Sequence, residues 1–211
     1  MSFKKGDIVT VSNKFEEYMG TALVLHRDDE EVLIKIIDEP INIDETPDRK
    51  VLLGCESHNS IYAVYCDVER KTDDSGAIEL KISKTFSVIN RRFSTRYPAF
   101  FKVYIYDSEL LQPFEGVIRN MSLRGFMVNT HANLDVNNFV NMDIQIDSRT
   151  VSVKARIARK NGQNGNFNYG LCAVDLGYDE KILMRTVLSQ LKEKNRKISE
   201  RIIKGYIGDE G

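Results

Sequence analysis

Three arginines stand close together in the run Arg91-Arg92-Phe93-Ser94-Thr95-Arg96. A guanidinium presents paired N–H donors in a fixed plane, which suits phosphate oxygens or the O6/N7 edge of guanine. The run lies inside a longer stretch, Lys81 to Tyr106, with six basic residues (Lys81, Lys84, Arg91, Arg92, Arg96, Lys102) and no acidic one. The whole chain carries 30 Lys+Arg against 31 Asp+Glu, a net charge of −1, so an anion would be drawn by this local cluster and not by the field of the molecule. Taken alone, such a stretch reads equally well as a solvated linker. A second constellation, Asn120-Met121-Ser122-Leu123-Arg124-Gly125, follows after twenty-three intervening residues. It sets an amide and a hydroxyl beside a glycine, the residue that permits φ > 0 or close approach of backbone to a ligand. Taken alone, it is a turn capped by Asn and Ser.

Other chemistry finds little support. The sequence contains no HExxH, GxSxG, Walker A or GxGxxG motif. His26, His58 and His131 are scattered and read as surface or packing residues. The paired carboxylates Asp28-Asp29 and Asp73-Asp74 fall in turn-forming segments, where solvation and Asx-turn bonding are the expected roles. Cys55, Cys66 and Cys172 are odd in number and lack CxxC spacing, which argues against a disulfide framework or a zinc site and for a reducing compartment. No apolar run approaches the ~20 residues of a membrane span, and no signal-peptide core is present. A soluble, cytoplasmic protein is expected, with no metal, no cofactor and no enzymatic activity.

The 211 residues, 42% hydrophobic and 29% charged, are enough for two small domains. From Gly6 to about Ser83 short β-type runs recur, Ile8–Val11, Thr21–Leu25, Val32–Ile37, Ile61–Tyr65 and Ile78–Ile82, with Asp38–Lys50 as an exposed, Pro-containing acidic loop. A second series follows: Phe101–Tyr106, Phe114–Arg119, Gly125–Thr130, Phe139–Ile146, Val151–Arg159 and Tyr169–Val174. The Asn161–Asn166 turn should close a hairpin between the last two strands. The expectation is therefore a mainly β chain of two tandem small antiparallel β-barrels plus a C-terminal α-helix. The helix is expected at about 179–204, with Asp179 as N-cap. Along it Met184, Leu188, Leu191, Asn195, Ile198 and Ile202 recur at intervals of 4, 3, 4, 3 and 4, a stripe that either packs on a barrel or pairs two chains into a homodimer.

RxxxR (Arg92, Arg96) followed at this distance by NxSxxG (Asn120, Ser122, Gly125), at the mouth of a six-stranded barrel, resembles the PilZ family of bacterial cyclic di-GMP receptors. The resemblance covers Arg91 to about Leu176. The half before it is similar, by architecture and position, to the N-terminal barrel of the flagellar-brake (YcgR-like) members. The resemblance implies residues 1–89 as that N-terminal domain and residues 90–211 as a PilZ domain with its helix.

It implies that Arg92 and Arg96 embrace phosphates and guanine Hoogsteen edges, that Asn120 and Ser122 address another face of a guanine, and that Gly125 keeps the strand start open. Asn120 stands where Asp is commoner in the family; an amide accepts through one oxygen only, so weaker binding is expected. Arg91 stands where arginine accompanies an intercalated ligand pair, which implies two cyclic di-GMP molecules per chain. Arg159 corresponds roughly to a position that stacks on a guanine. The implied function is a receptor that changes interdomain orientation on binding and regulates a protein partner at the flagellar motor, without DNA or RNA. Two rivals remain: a PilZ-like adaptor that holds no nucleotide, and a small-barrel protein that binds single-stranded RNA, for which Phe93, Tyr97, Phe100 and Phe101 would supply stacking.

Overall fold

Strict alternation of apolar and polar residues builds most of this chain, because successive side chains of a strand point to opposite faces and only one face of each strand is buried. In the computed structural model, which describes residues 3–208 apart from 16, 39–40, 42, 44–45, 57–59, 72–75, 91–93, 108–111 and 163–164, twelve strands form two closed six-stranded antiparallel barrels. His58, Asp73-Asp74, Arg91, Arg92 and Phe93 lie outside the described residues. The chain divides into two units, Met1–Thr95 with Lys194–Gly211, and Arg96–Glu193.

The first barrel uses β1 (Ile8–Asn13), β2 (Tyr18–Arg27), β3 (Glu31–Ile36), β4 (Lys50–Glu56), β5 (Ser60–Lys71) and β6 (Ala77–Ile89), in the order β1-β2-β3-β6-β5-β4. Val9, Val11, Val24, Ile34, Leu53, Val64 and Leu80 point into its core. Sequence reading places five strands here and misses β4. The reason is Gly54, which interrupts a short apolar run. A Cβ there would come within 2.7 Å of Thr10 Oγ1, and the Thr10 hydroxyl donates to the Gly54 carbonyl (3.2 Å), so the glycine marks the close approach of β1 and β4 that closes the barrel. The Asp28 carboxylate accepts the N–H groups of Glu30 (2.8 Å) and Glu31 (2.7 Å), the Asx-turn role expected of it, and these bonds hold its carboxyl below the usual range.

The second barrel uses β7 (Tyr97–Asp107), β8 (Phe114–Met121), β9 (Gly125–Thr130), β10 (Phe139–Ile146), β11 (Arg149–Asn161) and β12 (Phe167–Ala173), in the order β10-β11-β12-β9-β8-β7. All six strands expected from the sequence are present. Val140, Met142 and Ile144 face Ala155, Val153 and Val151 across the β10–β11 ladder, and all six are buried. The β11–β12 hairpin runs to Asn161↔Asn168. Its turn requires glycine at Gly162, where φ is 108° and a Cβ would lie 2.3 Å from the Asn166 carbonyl. Inside the barrel the fully buried Tyr169 hydroxyl accepts the Leu134 N–H (2.8 Å) and donates to the Ala132 carbonyl (2.9 Å), anchoring the β9–β10 connection.

One helix, α1 (Tyr178–Gly208), follows. Lys181 N–H donates to the Gly177 carbonyl (3.1 Å), so Gly177 is the cap and Asp179 sits within the first turn. Asp179 therefore does not cap; with Glu180 it puts negative charge at the positive end of the helix dipole. Apolar residues of the helix pack within the chain. Met184, Val187 and Leu191 belong to the core of the second barrel. In the first unit, Ile202 and Ile203 pack with Leu23, Leu25 and Ala77, and the Ser199 hydroxyl donates to the Gly6 carbonyl (2.9 Å). Among the described residues no helix is long and apolar enough to cross a membrane.

Tyr169→Phe strands a buried N–H and leaves a buried carbonyl without its hydroxyl donor. It should lower stability by about 1–3 kcal/mol in urea unfolding, with an unchanged m-value.

Candidate functional site

The sheet register assembles the second barrel's polar residues into rows on its outer face. Phe126, Val128 and Thr130 of β9 point inward, so Gly125, Met127 and Asn129 point outward. Directly paired residues share a face, and the pairings Asn120↔Met127, Met127↔Gly170 and Gly170↔Arg159 carry one continuous outer row across β8, β9, β12 and β11. Bulges at Ile118/Asn120 and at Ile157/Arg159 set both ends of this row. A bulge adds one residue and re-aims the side chains beside it, so the two residues that could do chemistry stand where the ladder is broken. The neighbouring outer row is Gly125↔Cys172↔Arg156.

Asn120 is polar and poorly satisfied. Its NH₂ reaches only the Met127 thioether (Nδ2–Sδ 3.5 Å), and its carbonyl oxygen is buried with no hydrogen-bond partner among the described residues. Turning the amide over would set the carbonyl against sulfur, so in neither orientation do the described residues satisfy the group. An unpaired buried acceptor costs about 1–3 kcal/mol, which a donor supplied from outside would recover.

Ser122 and Gly125 form the β8–β9 turn. Ser122 N–H donates to the Gly125 carbonyl (2.8 Å), and the Gly125 N–H donates to the Ser122 hydroxyl (3.1 Å). The Arg124 carbonyl accepts the Ala173 N–H (2.7 Å), tying the turn to β12. Ser122 is 5% exposed, and its hydroxyl serves the hairpin. Over this turn lies Arg96: a Cβ on Gly125 would be 3.6 Å from Arg96 Nη2 and 3.0 Å from Ser122 Oγ. Gly125 is therefore required for close approach and not for a left-handed backbone. The structure brings Arg96, Ser122 and Gly125 together around one turn. Arg91 and Arg92 fall outside the described residues.

Arg159 runs across Gly170, where a Cβ would lie 2.6 Å from Arg159 Cγ and 2.7 Å from its Nε. Gly170 and Met127 are the residues sequence reasoning missed. They form the floor between Asn120 and Arg159, and a lone glycine inside the β12 run was the available signal of a close approach. The basic stretch, in contrast, is not all at the site. Lys102 pairs with Glu115 (2.8 Å), which raises its pKa, and Lys81 and Lys84 belong to β6 of the first unit. Of the histidines, His26 is exposed beside Asp28, and His131 Nδ1 bonds the Gly165 carbonyl (2.6 Å). Among the described residues no cluster of His, Cys, Asp and Glu could hold a metal ion.

Residues 90–190 match the model of the PilZ domain family. They contain Arg96, the Asn120–Gly125 turn and Arg159, on the six-stranded barrel just described. Residues 90–190 are a PilZ domain. Among solved structures, the chain is similar to the K. pneumonia MrkH–c-di-GMP complex, with 9% identity, 92% of this chain and 90% of that one covered, and a TM-score of 0.52. It also matches the Bacillus subtilis inhibitor of motility MotI/DgrA (14% identity, 92% and 98% covered, TM-score 0.44). A third match is Escherichia coli YcgR in complex with c-di-GMP (9%, 93% and 88%, TM-score 0.48). At these identities the MrkH likeness is one of fold. No curated protein matches the sequence.

Within the PilZ domain, Cys172 gives a direct handle on the outer face, since it is exposed and paired with Gly125. Burial pushes the Cys66 thiol up to about 12; burial, with Asp7 nearby, pushes Cys55 up to about 11. At mildly alkaline pH a thiol reagent should therefore label Cys172 alone in the folded protein and all three cysteines after denaturation, as read by mass spectrometry of peptides.

Proposed function

We propose that the chain is a cyclic di-GMP receptor and not an enzyme, with the nucleotide held on the PilZ domain by Arg91, Arg92, Arg96, Asn120, Ser122, Gly125 and Arg159. The observation that carries this reading is the buried carbonyl of Asn120, unpaired among the described residues, in one row with Arg159 and next to the turn under Arg96. Guanine N1–H and N2–H₂ are donors of the kind this acceptor lacks, and Arg96 supplies a guanidinium for phosphate or for a Hoogsteen edge. Arg159, with its stem on Gly170, offers a flat cation on which a purine can stack. Ser122 and Gly125 act by shaping the turn that lets Arg96 approach. The family membership of residues 90–190 supports the same ligand, and the similar MrkH is described as a c-di-GMP complex.

The finer reading has three parts. Two intercalated nucleotide molecules bind per chain, with Arg91 as the additional cation. Arg91 and Arg92 belong to the connector between residues 1–89, a YcgR-like N-terminal domain, and the PilZ domain, so a ligand held by both motifs orders the connector and changes the orientation of the domains. The reoriented protein then regulates a cytoplasmic partner, a component of the flagellar motor, to whose basal body it is recruited.

Binding of cyclic di-GMP to Arg92→Lys should weaken by about 1–3 kcal/mol, because charge is kept while the planar fork is lost, and Arg96→Ala should weaken it further. Asn120→Asp should tighten it, since a carboxylate accepts both guanine donors. Unchanged affinity in both arginine variants contradicts the assignment. Bound nucleotide should also slow labelling of Cys172, which an arginine site elsewhere on the molecule would leave untouched.

A further inference from the structure

Strand β6 outlasts its barrel. On one side it pairs β3 only from Lys35↔Ala77 to Glu31↔Lys81, with Ile82 N–H giving a last bond to the Glu30 carbonyl (2.6 Å). On the other side it stays paired with β5 as far as Ser60↔Ile89. From Ser83 to Ile89 the strand therefore has one satisfied edge and one edge with no strand beside it among the described residues. All seven of these residues are exposed, Phe86 at 37%, Val88 at 54% and Ile89 at 79%.

Proteins usually blunt such an edge with proline, a bulge, short length or a covering loop, since a row of open N–H and C=O groups invites another strand. Here the bulge, at Tyr65/Cys66, sits at the root of the free stretch and not along it. The strand contains no proline. Lys84, Phe86 and Val88 alternate on one face, and across the ladder they meet Tyr65, Ala63 and Ile61; the Tyr65 and Phe86 rings lie 5.6 Å apart. An apolar ledge thus runs beside an open backbone edge.

Its charge has one sign. Lys81 has Glu31 and Asp67 as cross-strand neighbours, which leaves Lys84, opposite Tyr65, as the cation that faces an incoming chain. No acidic residue lies between Leu80 and Ile89.

We propose that the Ser83–Ile89 edge receives an extended segment of a protein partner, added as a further strand to β6, that sets a carboxylate beside Lys84 and, two and four positions along on the same face, apolar side chains beside Phe86 and Val88. Backbone bonds supply affinity, and the ledge with Lys84 selects the side chains. The edge belongs to the first unit alone, so the inference holds whether or not the PilZ domain takes nucleotide, and the two can fail separately.

The test uses fluorescence anisotropy of the full chain with a labelled synthetic peptide that carries Val-Thr-Val-Thr-Glu, which puts one carboxylate and two apolar side chains on one face. Saturable binding is expected, weaker by at least about tenfold for the peptide with Lys in place of Glu, for the same peptide N-methylated along one edge, and for the Lys84→Glu protein. Lys84 is exposed, so folding of that variant is expected and is checked by circular dichroism; the two control peptides need no mutation. Absence of saturable binding, or equal binding of the N-methylated peptide, overturns the proposal. So does a dimer of the free chain that cross-links through β6, since a second copy would then occupy the edge.

Discussion

A carbonyl that the fold buries and that no described residue pairs is the constraint around which the outer face of the second barrel is organised. Asn120 holds an acceptor out of water at the end of β8 with only a thioether beside its amide nitrogen. Leucine or valine there would carry no such penalty. Around it, Met127 supplies an apolar floor, Gly170 makes room for Arg159, and Gly125 makes room for Arg96. Each of these choices is costly or neutral for a barrel considered only as a barrel, and together they surround one unsatisfied group.

Barrel closure is what makes such an arrangement durable. With β10 paired to β7 no edge remains in the ring, and the inward residues of all six strands pack into one core. The register is then set by the buried face, because a one-residue slip would expose that core. Outer residues inherit the register without contributing to it, so Asn120 and Arg159, thirty-nine positions apart in the chain, are held in one row by the packing of Ile118, Val128 and Leu171 beneath them. The first barrel shows the opposite case. Its β6 continues past the ring, and an open edge appears as soon as β3 stops.

Much of this was legible in the residues. Alternation was clean enough in β10 and β11 to place them within a few residues, and the change from period 2 to period 3.6 after Gly177 located the helix. What was not legible depended on contacts distant in sequence. β4 was lost because Gly54 looks like an interruption until Thr10 is seen against it. Asp179 looked like a cap because its side chain suits the role, whereas the carbonyl that takes the first helical bond belongs to Gly177. The two motifs marked Arg96, Asn120, Ser122 and Gly125, but not that Ser122 spends its hydroxyl on the hairpin, nor that Met127 and Gly170 complete the row. Motif spacing records which residues matter and is silent on the floor they stand on.

The proposed guanine contact is tested most directly by calorimetric titration of the full chain with cyclic di-GMP in parallel with its adenine counterpart. Adenine offers a lone pair at N1 where guanine offers N–H, so it cannot satisfy the Asn120 carbonyl there, while charge and backbone are the same in both nucleotides. The account predicts saturable binding of the guanine dinucleotide, two molecules per chain, and none of the adenine one at the same concentrations. Equal binding of the two, or no binding of either, would contradict it.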